Sequence, residues 1–312
     1  MMLSTVESHV ESLLDLTEPA HMRVARRTQI TALLAAVSVA HSSRTLGAQE
    51  TAPPSYSRTV GTVAVFGSNV LLGGLTAAAR ALVGHHDPAR AFAIGALGGA
   101  VHFSGKLVGP MSSFPGGIPG VVLSSTGSAI VSNAGRGAGL LDELNVPIGP
   151  LCVRFALRES RKVRLSINAF ETGVLARNLA RRGMELDWSE SASMGTFAFV
   201  TKGTLIRMSD GKLVEGVTTA PVVVISSLSA DPSRIARHEF VHVQQQRFLD
   251  EAWGRPIEDY LRKRIPGGPR IPRWLELGIV SPGLELMEIG IFGRDGPLRR
   301  LAESEARMLE RP

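Results

Sequence analysis

One cysteine, Cys152, in 312 residues leaves no internal disulfide and no thiolate-cluster metal site within one chain. It lies in an apolar, strand-like run, where a buried and inert thiol is expected. Aromatic residues make up only 5% of the chain, and they do not interleave with clustered basic residues, so no nucleic-acid partner is expected. Histidine is absent beyond His242, which excludes an imidazole metal ligand from the C-terminal part. No Gly-x-Ser-x-Gly elbow occurs. Around Gly105-Lys106 the leading glycine and the following hydroxyl residue of a phosphate loop are both missing. Gly135 to Gly139 is a flexible turn, not a dinucleotide fingerprint. His85, His86, Asp87 and His102 are expected in loop and core roles rather than as a second metal site. Internal repeats are also lacking.

What remains is a chain able to form one large or two modest domains. A hydrophobic share of 44% against 20% charged residues excludes wholesale disorder. The net charge of +6 comes mostly from arginine and would allow attraction to anionic membrane surfaces. Residues 1–21 read as an upstream extension, with translation expected to start at Met22. The basic leader Met22–Arg27 and the apolar segment Ile30–Ala40 then form a signal peptide over 22–48, with small residues for cleavage after Ala40 or Ala48. Export to the periplasm or cell envelope is the expectation, with 49–58 as a linker.

Residues 59–149 have a different texture. Thr59 to Ala79 carries no charge and is long enough to cross a bilayer, though glycines and Asn69 dilute it. After the polar loop His85–Pro88, a second apolar run from Ala91 to Gly105 carries Gly95 and Gly99, a spacing that lets helices approach closely. The region reads as a glycine-rich helical hairpin followed by a Pro/Gly/Ser-rich stretch from Pro110 to Gly139. Membrane association and a soluble helical layer on the main domain both fit it.

From 150 to 312 the pattern is α+β. Leu151–Arg158 and Lys162–Ile167 predict a strand pair, and Ala169–Arg182 a helix ending at Gly183. Met184–Trp188, Thr196–Val200 and Ala220–Ser227 predict further strands. Asp231 and Pro232 then suit the cap and first position of a helix running to about Asp250, packed through Ile235, Val241 and Phe248. On that helix lies His238-Glu239-Phe240-Val241-His242. Four residues turn through about 400°, so the two imidazoles stand nearly above one another and can share one divalent cation. Glu239 falls beside the open coordination position.

This order of strand, Asp-Pro cap and His-Glu-x-x-His helix resembles the zincin class of zinc metallopeptidases. With Gln245 the motif becomes His-Glu-x-x-His-x-x-Gln, similar to poorly characterised bacterial metallopeptidase-like domains. The metzincin branch is excluded, because Gln245 and Phe248 stand where it has Gly and His. The resemblance implies a small sheet packed on the motif helix, Zn²⁺ as cofactor, a peptide or protein substrate and Glu239 as general base. In the gluzincin branch the third ligand is a carboxylate from a later helix. Leu301–Arg307 resembles that branch's Glu-x-x-Ala-Asp pattern, which places the ligand at Glu303, with Glu305 as the alternative. Arg307 stands where an acid that orients a metal-bound histidine is usual. Gln245 and Tyr260 are candidates for orienting or substrate contacts, with a structural role expected for Tyr260. The resemblance also implies that Val222 to Ser226 can pair with an extended substrate. Two alternatives stay open: a non-catalytic envelope protein that keeps a zincin relic as scaffold or binding domain, and a zinc hydrolase acting on a non-peptide amide.

Overall fold

The computed structural model describes residues 58–109, 117–156, 158, 163–207, 213–219, 222–264, 271–272, 274–278 and 297–309. The expected extension, signal peptide and most of the linker lie outside them. The described chain is mixed helix and sheet, with an apolar helical pair at its start.

That pair is α1 (Arg58–Val83) and α2 (Pro88–Val108), joined by a short polar loop. Asp87 caps α2 by accepting from the amides of Ala89 and Arg90, and Pro88 occupies the first turn. Both helices are long and apolar enough to cross a membrane by length and composition alone. They meet backbone to backbone: a Cβ placed on Gly99 would stand 2.2 Å from the carbonyl oxygen of Asn69, and one on Gly95 2.4 Å from the Ala77 Cβ. The Pro/Gly/Ser-rich stretch that follows contains a further helix, α3 (Gly117–Gly135). Its glycines and serines are poor helix formers in isolation, but here their small size lets α3 lie against α2. A Cβ on Gly127 would fall 2.2 Å from the His102 amide nitrogen. Packing therefore overrides propensity, and α3 is buried along most of its length.

After α3 come β1 (Glu143–Ile148), β2 (Leu151–Ala156) and β3 (Val163–Asn168), an antiparallel run completed by the short β10 (Leu275–Glu276) beside β3. The strand pair read from the sequence is thus joined by β1, which lies before the expected boundary at 149/150. Next follow α4 (Ala169–Ala180), β4 (Met184–Asp187), α5 (Trp188–Met194) and β5 (Phe197–Thr201). After the small hairpin β6 (Ile206–Arg207) and β7 (Leu213–Val214) come β8 (Gly216–Thr219) and β9 (Val222–Ser226). The second sheet has the order β4-β5-β9-β8, with β5 and β9 parallel and the outer pairs antiparallel.

Strand alternation assigns its two faces. Ala198, Val223 and Ile225 pack with Ala236, Phe240 and Val243 of α6 (Pro232–Leu249), together with Val121 of α3. Phe199, Val222 and Val224 meet Val174 and Leu175 of α4 on the opposite face. Asp231 caps α6 through the Arg234 amide at 2.9 Å. Of the side chains expected to pack this helix, Val241 and Phe248 are buried, and Ile235 packs partly on the sheet core. The α-helix ends at Leu249, close to the expected end at Asp250, and the chain continues through a π-helical turn (Asp250–Gly254) into α7 (Arg255–Arg264). The last described element, α8 (Pro297–Leu309), lies against α6 and α1.

Candidate metal centre

Two helices supply the candidate ligands. His238 and His242, one turn apart on α6, bring their Nε2 atoms to 3.1 Å. Glu303 of α8 approaches from across the gap, its oxygens 3.5 Å from His238 Nε2 and 3.6 Å from His242 Nε2. Donors bound tetrahedrally at about 2.0–2.1 Å stand about 3.3 Å apart. The three separations straddle that edge length, so the residues fit a small divalent cation. The cluster is partly exposed, which leaves a way in.

Glu239 sits next to this group, buried, and accepts from Thr218 Oγ1 at 2.6 Å. Burial raises its carboxyl above the ordinary carboxylate range, while the nearby His242 and the Thr218 hydrogen bond oppose the rise. Gly216 of β8 makes room for it: a Cβ there would meet the Glu239 carboxylate at 2.9 Å. Glu303 moves the other way, to about 2, through its hydrogen bond with His238 and the neighbouring positive groups, against the effect of burial.

The orientation of His242 can be deduced from its neighbours. Gln245 Nε2 points at two groups that only accept, the Ala302 carbonyl at 3.2 Å and Glu305 Oε2 at 2.6 Å. Its Oε1 must therefore face His242 Nδ1, 2.8 Å away. An acceptor there keeps the proton on Nδ1, so the lone pair of Nε2 is free to bind a cation.

Glu305 belongs elsewhere. Its carboxylate is buried and receives Lys106 Nζ at 2.8 and 3.0 Å and Asn69 Nδ2 at 2.8 Å, both from the apolar helices. Burial alone would raise this carboxyl, but Lys106 and the surrounding donors bring it below the usual range. Two residues apart on one helix, Glu303 meets the histidines and Glu305 meets the lysine. Arg307 lies exposed on the same helix. Tyr260 falls on α7, and its side chain lies outside the described residues.

The groove role expected of Val222 to Ser226 does not hold. β9 is paired on both sides and every residue in it is buried, so it has no edge to offer. Among the described residues the outermost strand on that side is β8, which also carries Thr218. Sequence reasoning missed Thr218, Lys106 and Asn69. No local spacing marks them, since they reach the site from far along the chain.

Comparison with models of known families, with curated proteins and with solved structures gives no match.

Proposed function

We propose that the chain is an exported, zinc-dependent metallopeptidase-like hydrolase of the zincin class, with His238, His242 and Glu303 as ligands. The observation that carries this is the donor triangle of 3.1, 3.5 and 3.6 Å beside a buried carboxylate. Two neutral imidazoles and one carboxylate are a set that suits Zn²⁺. When bound, such an ion acidifies water and polarises a substrate carbonyl. Glu239 then takes the proton of the attacking water and passes it to the leaving amine. Thr218 holds the Glu239 carboxylate in place during both transfers. The partly exposed edge strand β8, next to Glu239, suits an extended peptide added by main-chain pairing.

Association with a membrane fits the outward faces of the apolar helices. Val63, Phe66, Leu71 and Leu97 are exposed on stretches that carry no charge. The inner face of α1 supports a layer lying along the main domain rather than a separate spanning hairpin. Along its length it meets Met308 at Gly61, Glu305 at Asn69, and the Phe248 and Ala252 cluster at Ala77 and Ala81.

A second reading is favoured by Arg307, which stands where the orienting acid is usual: an envelope protein that keeps the metal as part of a scaffold or binding domain. One series separates the two. For the enzyme, purified protein carries one equivalent of zinc and cleaves peptides, Glu239→Gln keeps the zinc and abolishes cleavage, and His242→Ala and Glu303→Ala lose the zinc. Zinc without cleavage in the wild type supports the scaffold. Zinc content unchanged in both ligand variants overturns the metal centre itself.

A further inference from the structure

Resting on the metal centre proposed above, we infer that Lys106 and Glu305 act as a remote positioning pair, fixing the Gln245 amide and through it the His242 ring. A glutamine beside a metal-binding histidine is ambiguous, because its oxygen and nitrogen are nearly the same size. With the oxygen toward Nδ1, the histidine directs a lone pair from Nε2 at the cation. With the NH₂ toward Nδ1, the favoured tautomer carries its proton on Nε2, where a ligand bond should form. Something must break this symmetry.

The floor of the site does so. Glu305 can only accept, and it lies 2.6 Å from Gln245 Nε2, so the amide has one favourable orientation. Glu305 is in turn held by Lys106 and Asn69, and Lys106 Nζ also donates to Asn69 Oδ1 at 2.9 Å, closing the cluster. Both ends of the ion pair are buried, with side-chain exposures of 3% and 8%. A buried pair of this kind is a poor source of stability, since an apolar replacement often serves equally well. It is a good source of fixed direction. The positioning is divided among three residues: Gln245 touches the histidine, Glu305 orients the glutamine, and Lys106 anchors Glu305 to the glycine-rich helices. The hairpin is consequently a structural part of the metal centre and not a detachable anchor.

The test uses the full chain, with Zn²⁺ affinity measured by chelator competition and the visible spectrum of the Co²⁺-loaded protein as readouts. Gln245→Met leaves the Lys106–Glu305–Asn69 cluster paired, so the apo protein should still fold cooperatively, with its melting lowered only by the lost Gln245–Glu305 hydrogen bond. Its Zn²⁺ affinity should fall about 10–100-fold, as when other contacts behind a ligand are removed, and its Co²⁺ spectrum should change. The exchange Gln245→Glu with Glu305→Gln returns an acceptor to His242 while keeping one negative charge near Lys106. It should restore both affinity and spectrum, which simple repair of packing would not do. Unchanged affinity and spectrum in Gln245→Met overturn the inference, and so does an exchange variant that folds but stays as weak as the single one. Failure of the wild type to bind either ion overturns the underlying metal centre instead.

Discussion

Gln244 and Gln245 are neighbours of one residue type on one helix, yet they stand in opposite circumstances. Gln245 faces α8, and both atoms of its amide are matched, one by His242 and the other by Ala302 and Glu305. Gln244 is fully buried on the other flank, where neither amide atom finds a hydrogen-bond partner among the described residues. It lines a pocket of about 70 Å³ shared with Ser128, Glu171, Arg247 and Glu251. Two nitrogens of Arg247 are likewise unmatched there. The flank facing α8 is thus fixed by a closed network, while the rear flank is loosely matched and roomy enough for ordered water. Pre-organisation is spent on the side where a histidine must point in one direction.

The largest expected effect sharpens that contrast. Lys106→Met leaves Glu305 buried without its cation, and loss of one partner from a buried pair typically costs about 3–5 kcal/mol. That is a large fraction of a typical domain's stability. Urea unfolding of the metal-free protein should show it as a markedly lower midpoint. Glu303→Gln, on the half-exposed side of the same helix, gives up a screened contact with His238 and should cost no more than about 1 kcal/mol. Equal effects of the two changes would mean that the floor is no more tightly built than the mouth.

Much of the ligand flank was legible because it is local. One helical turn separates the histidines, and Asp231 and Pro232 mark where the helix begins, whereas Glu303 came from a resemblance to a five-residue pattern that left Glu305 as its alternative. The strands flanking α4 were legible for the same reason, since alternation within five or six residues is enough to reveal them. The floor was not legible: Lys106 is remote from Glu305 in sequence, and a lysine in an apolar, glycine-rich run gives no sign of its partner. Helix α3 was hidden by composition, because its glycines and serines suggest a loop until α2 is present to pack against. The error over Val222 to Ser226 has a topological origin. A run of β-branched residues announces burial, but whether such a strand is central or at an edge depends on β8, which precedes it and returns antiparallel along it.

A second, smaller effect concerns two acids that flank the helix, the buried Glu305 and the half-buried Glu171. Lys106 brings Glu305 low, whereas burial pushes Glu171 up to about 8, with Arg247 opposing only in part. For a carboxyl raised in the folded state, the contribution to stability is fully present below the ordinary value near 4.5. It is lost as pH rises from there toward about 8, because the unfolded chain ionises first. Glu305 has the opposite sign, its contribution being lost as the solution is acidified below its ordinary value. Unfolding midpoints of wild type should therefore decline between pH 5 and about 8.5 relative to Glu171→Gln, the two curves converging in mild acid. Parallel curves across that window would place Glu171 in solvent and remove the asymmetry between the flanks.

The smallest effect tests the comparison at its origin. Gln244→Met removes an amide that nothing among the described residues matches, and the freed volume borders a pocket that can adjust. The loss of a hydrogen-bonding group is then offset by the loss of its desolvation penalty, and stability should shift by less than about 1 kcal/mol in either direction. Zn²⁺ affinity should remain at the wild-type value, since the described hydrogen bonds to His242 come from Gln245 and His238 and not from Gln244. Calorimetric melting of the metal-free protein and zinc competition measure the two quantities separately. If Gln244→Met weakened zinc as strongly as Gln245→Met, control over the ligands would run through the body of the helix rather than through the Glu305 contact, and the two flanks would have to be treated as one unit.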